Sequence, residues 1–360
     1  MKTLLLGDIC PTWVTAPLFK KGNVEELFTD VLSIFKNKDF VFANLECALT
    51  GSNNAIKKFG PNLKAPVETA EVMKKIGITC VGLSNNHIFD FGKEGYSDTK
   101  RALENSGLDY TGFGQNLADS RKNYIFEHNG EKIAIIAVCE HEYSYALDDR
   151  MGARPFDEFE TLEDIREAKK ICDRVIVIYH GGKEYCCYPS PRLHRLCHAM
   201  ARSGADVILG QHSHCISTYE YYNDCHILYG QGNFHFVKPS DYEVWYTSFA
   251  VEYDTVTGEI DFIPVCAEEH NISLAKGEKK AEIMSAFRKR CEQQLNGEWK
   301  EEWHRFCVEN NEKYLRIIKE ACLDDSTEEQ NGLFSHFLDC EAHTDVWREL
   351  FPSYNLFNEK

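Results

Sequence analysis

The sequence predicts an α/β protein whose sheets mix parallel and antiparallel strands, followed by a helical C-terminal region. Over roughly the first 215 residues, short apolar runs alternate with amphipathic helical patterns, which is the βαβ rhythm of an α/β domain. Hairpin turn signals are interleaved with that rhythm, so we expect mixed sheets rather than one doubly wound sheet. From Lys276 to Cys322 the chain is rich in Glu, Lys and Arg and carries apolar residues at helical spacing.

Six short apolar runs are the predicted strands of the α/β part. In chain order they are Thr3–Leu6, Phe40–Leu45, Thr79–Leu83, Ile133–Val138, Val175–Tyr179 and Asp206–Leu209. Two of the helical patterns between them end at Gly77 and Gly204, and the next strand follows each glycine almost at once. These strands and helices form the predicted layers of the domain.

Three turn signals predict hairpins along the chain. Asn129-Gly130 separates two strand-like runs and is a strong type I′ signal, while Asn223-Asp224 and Thr257-Gly258 divide alternating stretches rich in Tyr, Val, Ile and Phe. We therefore expect one domain over residues 1–270 and a helical extension over residues 271–360. The extension, including its terminal Phe/Leu/Tyr segment, is expected to pack on the body.

The net charge limits the classes of partner. The chain has 40 Lys and Arg against 57 Asp and Glu, a formal net charge of −17, whereas a nucleic-acid binder needs a basic surface to displace counterions from phosphates. The same charge disfavours docking on an anionic membrane face. No stretch reaches about 18 consecutive apolar residues, so no membrane span is predicted. We expect a small or short anionic substrate, bound where a local cluster of Lys or Arg offsets the overall field.

The N-terminus and the cysteines indicate a cytoplasmic protein. Met1-Lys2-Thr3 runs directly into the first strand, and its apolar run is too short for a signal peptide. The 15 cysteines are odd in number, spread from Cys10 to Cys340, and form no C-x-x-C pair. We therefore predict reduced thiols that pack as small apolar side chains.

Five of the six predicted strands lead into residues that bind metals or transfer protons. After these strands come Gly7-Asp8, Glu46, Ser84-Asn85-Asn86-His87 with Asp90, His180, and Gly210-Gln211-His212-Ser213-His214. Ligands of open α/β sheets bind beyond the carboxyl ends of the strands, so we expect these side chains to meet in one region. Mixed nitrogen and oxygen ligands suit Zn, Mn or Fe. The set is too large for one catalytic zinc and fits two ions about 3.5–4 Å apart that share a carboxylate.

Each of these residues has a structural alternative when it is taken alone. Asp8 could be a helix cap or turn residue, and Glu46 could be a paired or solvated carboxylate. The Asn85-Asn86 step could be a turn, since Asn tolerates left-handed backbone geometry, and His180 could be a core histidine. Their coincidence at successive strand ends favours a metal site.

The order of these motifs resembles the poly-gamma-glutamate capsule protein (CapA-like) family of the calcineurin-like metallophosphoesterases. The resemblance covers roughly residues 1–265 and leaves the helical C-terminal region outside. The matching motifs are Gly7-Asp8, Asn44-Leu45-Glu46, Ser84-Asn85-Asn86-His87-Ile88-Phe89-Asp90-Phe91-Gly92, His180-Gly181-Gly182-Lys183-Glu184-Tyr185, Gly204-Ala205-Asp206-Val207-Ile208-Leu209-Gly210-Gln211-His212-Ser213-His214 and Gly232-Asn233-Phe234.

The resemblance implies a four-layer αββα sandwich that holds two metal ions. Carried over residue by residue, the ligands are Asp8 and His214 for the first ion, Glu46 as the bridge, and Asn86, His180 and His212 for the second. The phosphoesterases usually place a histidine two residues after the first Asp, and Cys10 stands there in this chain. Cys10 is therefore an additional candidate ligand.

The remaining matches imply roles beside the ions. His87 would stand near the leaving group as the proton donor. Asp90 would orient His87, and a helix-start role is the equal alternative for Asp90. The candidate substrate-binding residues are Asn85, Glu184, Tyr185 and Asn233, and for Glu184 and Tyr185 the alternative is a surface position after a turn.

We therefore predict a hydrolase that uses two transition-metal ions, Mn, Fe or Zn. A hydroxide that bridges the ions would attack the phosphorus of a phosphoester or the carbonyl carbon of a γ-glutamyl amide, and His87 would protonate the leaving group. The alternative is a metal-containing accessory protein of capsule synthesis that binds polymer without turnover. Cys10 in place of a histidine favours the alternative slightly, whereas the complete Asn86-His87 step favours the enzyme. No oligomeric state is predicted.

Overall fold

The computed structural model describes residues 1–352. The predicted packing of the terminal Phe/Leu/Tyr segment concerns Tyr354, Leu356 and Phe357, which lie outside the described residues. The strands are β1 (Lys2–Ile9), β2 (Phe40–Leu45), β3 (Ala48–Leu49), β4 (Lys64–Ala65), β5 (Cys80–Gly82), β6 (Asp109–Thr111), β7 (Phe113–Gly114), β8 (Tyr124–His128), β9 (Glu131–Cys139), β10 (Gly152–Ala153), β11 (Arg174–His180), β12 (Val207–Gln211), β13 (Tyr219–Tyr222), β14 (Cys225–Leu228), β15 (Asn233–His235), β16 (Thr247–Asp254), β17 (Ile260–Ala267) and β18 (Ile272–Leu274).

The helices complete the element order. They are α1 (Ala16–Lys21), α2 (Val24–Phe28), α3 (Thr69–Lys75), α4 (Gly92–Ser106), α5 (Leu117–Ser120), α6 (Glu158–Ile171), α7 (Pro191–Ser203), α8 (Gly277–Asn296), α9 (Trp299–Glu309), α10 (Asn311–Ala321), α11 (Glu328–Asp339) and α12 (Glu341–Leu350). Two 3₁₀ helices span Thr29–Phe35 and Glu243–Tyr246.

Two mixed sheets form the centre of the fold. The first has the order β18-β17-β16-β1-β2-β5-β6, with β15 also paired to β1, and the second has the order β13-β14-β12-β11-β9-β8. Around β1 the pairs with β2 and β15 are parallel, and around β11 the pairs with β9 and β12 are parallel. Antiparallel pairs extend both sheets, as the hairpin signals predict.

Three apolar interfaces separate four layers. The residues of β1 alternate between two of them, because successive strand side chains point to opposite faces: Leu4 and Leu6 face the helices of the first sheet, and Leu5 faces the second sheet. Buried residues between the first sheet and its helices include Phe19, Leu27, Met73 and Leu103. Those between the two sheets include Leu5, Phe42, Ile135 and Ile178. Those between the second sheet and its helices include Ile136, Ile165, Val177 and Leu196. The expected αββα sandwich is confirmed.

The predicted hairpins are confirmed, and the type I′ signal has its expected backbone geometry. Asn129 and Gly130 have φ values of 52° and 80°, and they join β8 to β9 in an antiparallel pair. Asn223 and Asp224 turn between β13 and β14 with φ values of 51° and 57°. The Thr257-Gly258 step joins β16 to β17.

The first strand is longer than predicted. It continues past Leu6 to Ile9, because Asp8 still pairs in register with Asn44 of β2 and Asn233 of β15. Asp8 therefore lies within its strand rather than after it. His180 is likewise the last residue of β11 rather than the first residue beyond it.

The C-terminal helices contact the body. Their apolar cluster contains Cys186 of the body together with Trp303, Cys307, Tyr314, Ile317, Phe337 and Val346. Asp345 of α12 accepts hydrogen bonds from Ser190 at 2.6 Å and from Arg192 at 2.9 and 3.0 Å, at the start of α7. The division of the chain at residue 270 stays a prediction. Within residues 1–352, no helix has the length and apolar character that crossing a bilayer requires.

A buried histidine makes the stability of this fold depend on pH. His235 of β15 is fully buried, with its ring 4.9 Å from Phe19 and 5.0 Å from Phe28. Burial lowers its pKa from 6.5 to about 4. Below pH 6.5 the unfolded chain therefore binds a proton that the folded chain does not, and stability falls as the pH drops toward 4. Between pH 7 and pH 5 this loss is about 2 kcal/mol.

Urea unfolding at the two pH values, with a chelator present, measures this effect. We expect His235→Phe to lose about 2 kcal/mol less stability than the wild type between pH 7 and pH 5. His270→Phe is the matched control, because that side chain is 43% exposed and its replacement leaves the buried ring in place. An equal loss in wild type and His235→Phe would contradict the assignment.

Candidate metal centre

The predicted site residues meet between the two sheets, at the carboxyl ends of central parallel strands. Asp8 of β1 is in register with Asn44 of β2, and His180 of β11 is in register with Gln211 of β12. The backbone of His212 donates to Asp8 Oδ2 at 3.2 Å and so joins the sheets. β1 approaches its neighbour closely here: a Cβ on Gly7 would lie 2.2 Å from a backbone carbonyl oxygen.

At these strand ends, two groups of three side chains bring potential ligand atoms within 4.8 Å of one another, and a third such group, His194, His198 and Glu220, lies apart from them. The first group is Asp8, Glu46 and His214, and the second is Glu46, His180 and His212. All of these residues are buried. Glu46 belongs to both groups, which is the arrangement that a bridging carboxylate requires.

The Glu46 carboxylate tests whether the residues fit a metal pair. Its side chain is fully buried, yet neither oxygen has a hydrogen-bond partner among the described residues. An ionised group buried without a partner costs several kcal/mol. Burial, and then the charges of Glu184 and Glu142, raise the pKa of Glu46 well above its ordinary value. A cation against these oxygens would offset the cost, so the donor set fits bound metal.

The three histidines of the groups are in the protonation state that metals need. Burial is the largest cause that lowers the pKa of His180 to about 4 and the pKa values of His212 and His214 to about 3. Each ring is therefore neutral at pH 7 and has a nitrogen lone pair to offer. Burial, and then the charge of Glu46, raise the pKa of Asp8 to about 7, so an ion would displace a proton there at neutral pH.

Of the two further candidate ligands, Asn86 contacts a member of these groups and Cys10 belongs to neither group. Asn86 Oδ1 is 3.0 Å from His180 Nε2, the nitrogen that also lies 3.3 Å from Glu46 Oε1. Cys10 belongs to neither group within residues 1–352. Burial, and then a hydrogen bond with Cys47, raise the pKa of the Cys10 thiol well above its ordinary value. Metal ligation by Cys10 stays a prediction.

Two asparagines hold candidate ligands in place. Asn44 Nδ2 lies 2.7 Å from Asp8 Oδ1 and 3.2 Å from His180 Nδ1, and Asn233 Oδ1 lies 2.8 Å from His214 Nδ1. A partner on one ring nitrogen fixes the orientation of the ring and leaves the other nitrogen for a metal. The structure thus places Asn233, a candidate substrate contact, on a candidate ligand. Sequence reasoning gave Asn44 no role, although its place two residues before a candidate bridging carboxylate was a signal.

The backbone after β12 is strained. His212 and His214 have φ values of 77° and 55°, which is the left-handed region that non-glycine residues seldom adopt. Strain of this kind costs on the order of 1–3 kcal/mol per residue and concentrates at functional sites. Here it turns both rings toward the same buried region, where Glu46 contributes to both groups.

His87 and Asp90 form the pair that the sequence predicts. Asp90 Oδ2 lies 2.7 Å from His87 Nδ1, and Lys58 Nζ lies 2.5 Å from Asp90 Oδ1. His87 belongs to neither ligand group within residues 1–352. The Asp90 side chain also accepts a hydrogen bond from the backbone N–H of Leu63 at 2.6 Å, and the N-cap of α4 is Phe91 rather than Asp90. The orienting role of Asp90 stays a prediction.

The other candidate substrate-binding residues differ in burial and in the side chains that they contact. Asn85 is fully buried and donates to Asn44 Oδ1 at 3.1 Å and to the backbone oxygen of Leu45 at 2.8 Å. Glu184 is 41% exposed, and its Oε1 lies 4.0 Å from His214 Nε2. Tyr185 stacks on Tyr242 with ring centroids 3.9 Å apart. Substrate contacts by Asn85, Glu184 and Tyr185 stay predictions.

A cavity of about 150 Å³, called the chamber below, adjoins the candidate metal centre. On the body side its lining includes Lys58, Asn86, His87, Glu142, Lys183, Glu184 and His212, and on the C-terminal side it includes Lys313, His336, Phe337 and His343. Glu142 was missed, although it follows the strand β9 and the strand-end pattern could have indicated it. Lys313, His336 and His343 were missed because they carry no motif and reach the site only through packing of the C-terminal helices.

Comparisons with known proteins extend this description. The family model described as "Bacterial capsule synthesis protein PGA_cap" matches residues 2–238. A "Capsule biosynthesis protein CapA" of Bacillus anthracis is 31% identical over 278 residues, 74% of this chain and 67% of that protein. A "PGA biosynthesis protein CapA" of Bacillus subtilis (strain 168) is 32% identical over 237 residues, 64% of this chain and 62% of that protein.

The printed name of a more distant relative describes an accessory protein. A "Probable polyglutamine synthesis accessory protein Rv0574c" of Mycobacterium tuberculosis (strain ATCC 25618 / H37Rv) is 25% identical over 219 residues, 57% of this chain and 58% of that protein. The matches thus span only 58–67% of the lengths of these relatives. The helices α8–α12 begin at Gly277, beyond the residues that the family model matches.

Proposed function

Since the chain belongs to the bacterial capsule synthesis protein family PGA_cap, we propose that it is a hydrolase with two metal ions that cleaves a small anionic phosphoester or γ-glutamyl substrate. The observation that carries the proposal is Glu46, a buried carboxylate with two unpartnered oxygens that belongs to both ligand groups. Asp8 and His214 would complete the first metal position, and His180 and His212, with Asn86 beside them, the second.

Two transition-metal ions, when bound, supply Lewis-acid stabilisation of developing negative charge and an activated water. The chain's own residues supply the rest. Asn44 and Asn233 hold ligands in orientation through the contacts described above. His87 donates a proton to the leaving group, and Asp90 keeps its Nδ1 hydrogen-bonded, so that Nε2 is the atom that gives the proton.

Two substrate chemistries need the same machinery. Both a phosphoester and a γ-glutamyl amide develop negative charge on oxygen and lose a leaving group that needs a proton. The names of the two Bacillus relatives concern capsule and PGA biosynthesis, which supports the γ-glutamyl alternative. A second candidate function is a metal-containing accessory protein that binds polymer without turnover, and the printed name of the mycobacterial relative supports it.

Metal analysis together with a substrate panel tests the proposal. We expect purified protein to bind close to two ions of Mn, Fe or Zn per chain. We also expect it to hydrolyse p-nitrophenyl phosphate or a γ-glutamyl anilide when Mn is added. Metal bound without turnover of either class would favour the accessory protein. Protein that takes up no transition metal on incubation would overturn both functions.

A further inference from the structure

The chamber is formed jointly by the body and by helices that the family model does not match. One wall carries His87 and His212, and the opposite wall carries Lys313 of α10, His336 of α11 and His343 of α12. Its volume of about 150 Å³ is below the roughly 300–1,000 Å³ of pockets that enclose drug-sized ligands. It therefore has room for one small chemical group beside the candidate metal centre.

Two ammonium groups line the chamber without a carboxylate to pair with. Lys183 and Lys313 have no carboxylate within 4.0 Å and make no side-chain hydrogen bond in the part of the chain that the structure describes. Lys58, the third lysine of the lining, is already paired with Asp90. Partial burial, and then the charge of Lys183, lower the pKa of Lys313, and the charge of Glu184 offsets part of this effect. The two lysine charges therefore repel each other. An anion between them would remove that repulsion.

The carboxylates of the lining are directed elsewhere. Glu142 lies between two histidines, with Oε2 3.7 Å from His212 Nε2 and Oε1 3.5 Å from His336 Nε2. Glu184 lies 4.0 Å from His214. Neither carboxylate comes within 4.0 Å of Lys183 or Lys313 in residues 1–352. Burial would raise the pKa of Glu184, but neighbouring charges, of which Lys183 is the largest, lower it to about 2. The two lysines thus have acidic neighbours, yet within the described residues neither is in ion-pair contact with one.

His343 adds a hydrogen-bond donor to the same wall. The hydroxyl of Tyr314 lies 2.7 Å from His343 Nδ1. Burial raises the pKa of Tyr314 and lowers the pKa of His343, so at pH 7 a protonated tyrosine faces a neutral imidazole. We assign the hydroxyl as the donor of this hydrogen bond, which makes Nδ1 the acceptor and places the ring proton on Nε2. The buried imidazole therefore offers an N–H group at the lining of the chamber.

We propose that Lys183, Lys313 and His343 form a binding site for a small oxyanion, phosphate or carboxylate, which is the charged end group of the substrate. That the anion belongs to the substrate rests on the proposed function, whereas the anion site itself rests on the chamber. The site would hold a chain end or a small molecule, because 150 Å³ cannot enclose several residues of a polymer. The C-terminal helices therefore act as a cap that selects the substrate.

A wider groove adjoins the chamber. It has a volume of about 960 Å³ and is lined by the loop around Phe59, by Tyr143 and Tyr145, and by α11. The groove and the chamber share Lys58 and His336, among other residues. The rest of a substrate whose anionic end occupies the chamber would lie in this groove.

Calorimetric titration of phosphate and glutarate into the protein tests the anion site. Titrations are run on chelator-treated protein, in which bound metal cannot contribute to anion binding. They are repeated on metal-loaded protein of measured metal content. We expect Lys313→Gln and Lys183→Gln each to weaken binding of the preferred anion about tenfold, the typical value of one hydrogen bond to a charged group. Lys313→Arg should restore most of the affinity because it keeps the charge.

Lys319→Gln is the matched control, because Lys319 is an exposed lysine of the same helix that does not line the chamber. It should bind the anion as the wild type does. Tighter binding of phosphate would indicate a phosphoester, and tighter binding of glutarate a γ-glutamyl substrate. Wild-type affinity in Lys313→Gln, equal weakening in Lys319→Gln, or no binding of either anion by the wild type would overturn the site. Metal content reports separately on the proposed function, so the two can fail independently.

Discussion

Replacing Glu46 with alanine is expected to remove both metal ions from the protein, whereas His212→Ala and His214→Ala should each remove about one. We expect this difference because Glu46 and the two histidines belong to different numbers of ligand groups. Glu46 occurs in both groups, His212 only in the second and His214 only in the first. Loss of a residue that merely supports a ligand lowers metal affinity about 10–100-fold, so loss of a shared ligand should exceed that at both positions.

Elemental analysis after dialysis against limiting metal measures the stoichiometry of each variant. Cys10→Ala is the control, since Cys10 is buried beside the site but lies in neither ligand group. It should retain close to the wild-type content. If Glu46→Ala keeps one ion, the carboxylate does not bridge. If Cys10→Ala loses as much metal as His214→Ala, the thiol is a ligand and the first group is wrongly assigned.

The sequence predicted the parts of this site that follow strands. Because parallel strands of one sheet end at the same edge, Asp8 and Glu46 could be placed together, and the His212-x-His214 step could be placed with them. The same reasoning predicted hairpins, since Asn129-Gly130 adopts the left-handed turn that its residue types favour. Local chemistry was sufficient for these features.

The errors and omissions come from long-range pairing. The apolar run in the sequence predicted that the first strand ends at Leu6. In the structure, backbone pairing with β2 and β15 extends this strand through Asp8. No local pattern shows that Lys313 and His343 face a chamber whose body-side lining ends at His212, far earlier in the chain. Their approach depends on tertiary contacts such as the bonds from Arg192 to Asp345. These contacts leave no periodic signal in a single sequence.

His87 lies apart from the two ligand groups. Its ring lines the chamber, belongs to neither ligand group within residues 1–352, and has Nδ1 2.7 Å from Asp90 Oδ2. A proton donor needs this arrangement, in which one nitrogen is held and the other faces the substrate. A ligand would instead direct that nitrogen at the shared carboxylate, as His180 does at 3.3 Å from Glu46.

Replacing His87 with asparagine should therefore leave the fold and the metal content intact and lower turnover. General acid catalysis contributes about 10²–10⁴-fold, and the loss should approach that range for an alkyl phosphate, whose leaving oxygen needs a proton. It should be much smaller for p-nitrophenyl phosphate, because p-nitrophenolate leaves without one. Loss of a metal ligand, as in His212→Ala, would instead slow both substrates alike, which makes that variant the control. Rates of His87→Asn close to wild type on both esters would remove His87 from the mechanism and leave it a turn residue, since asparagine suits that position as well.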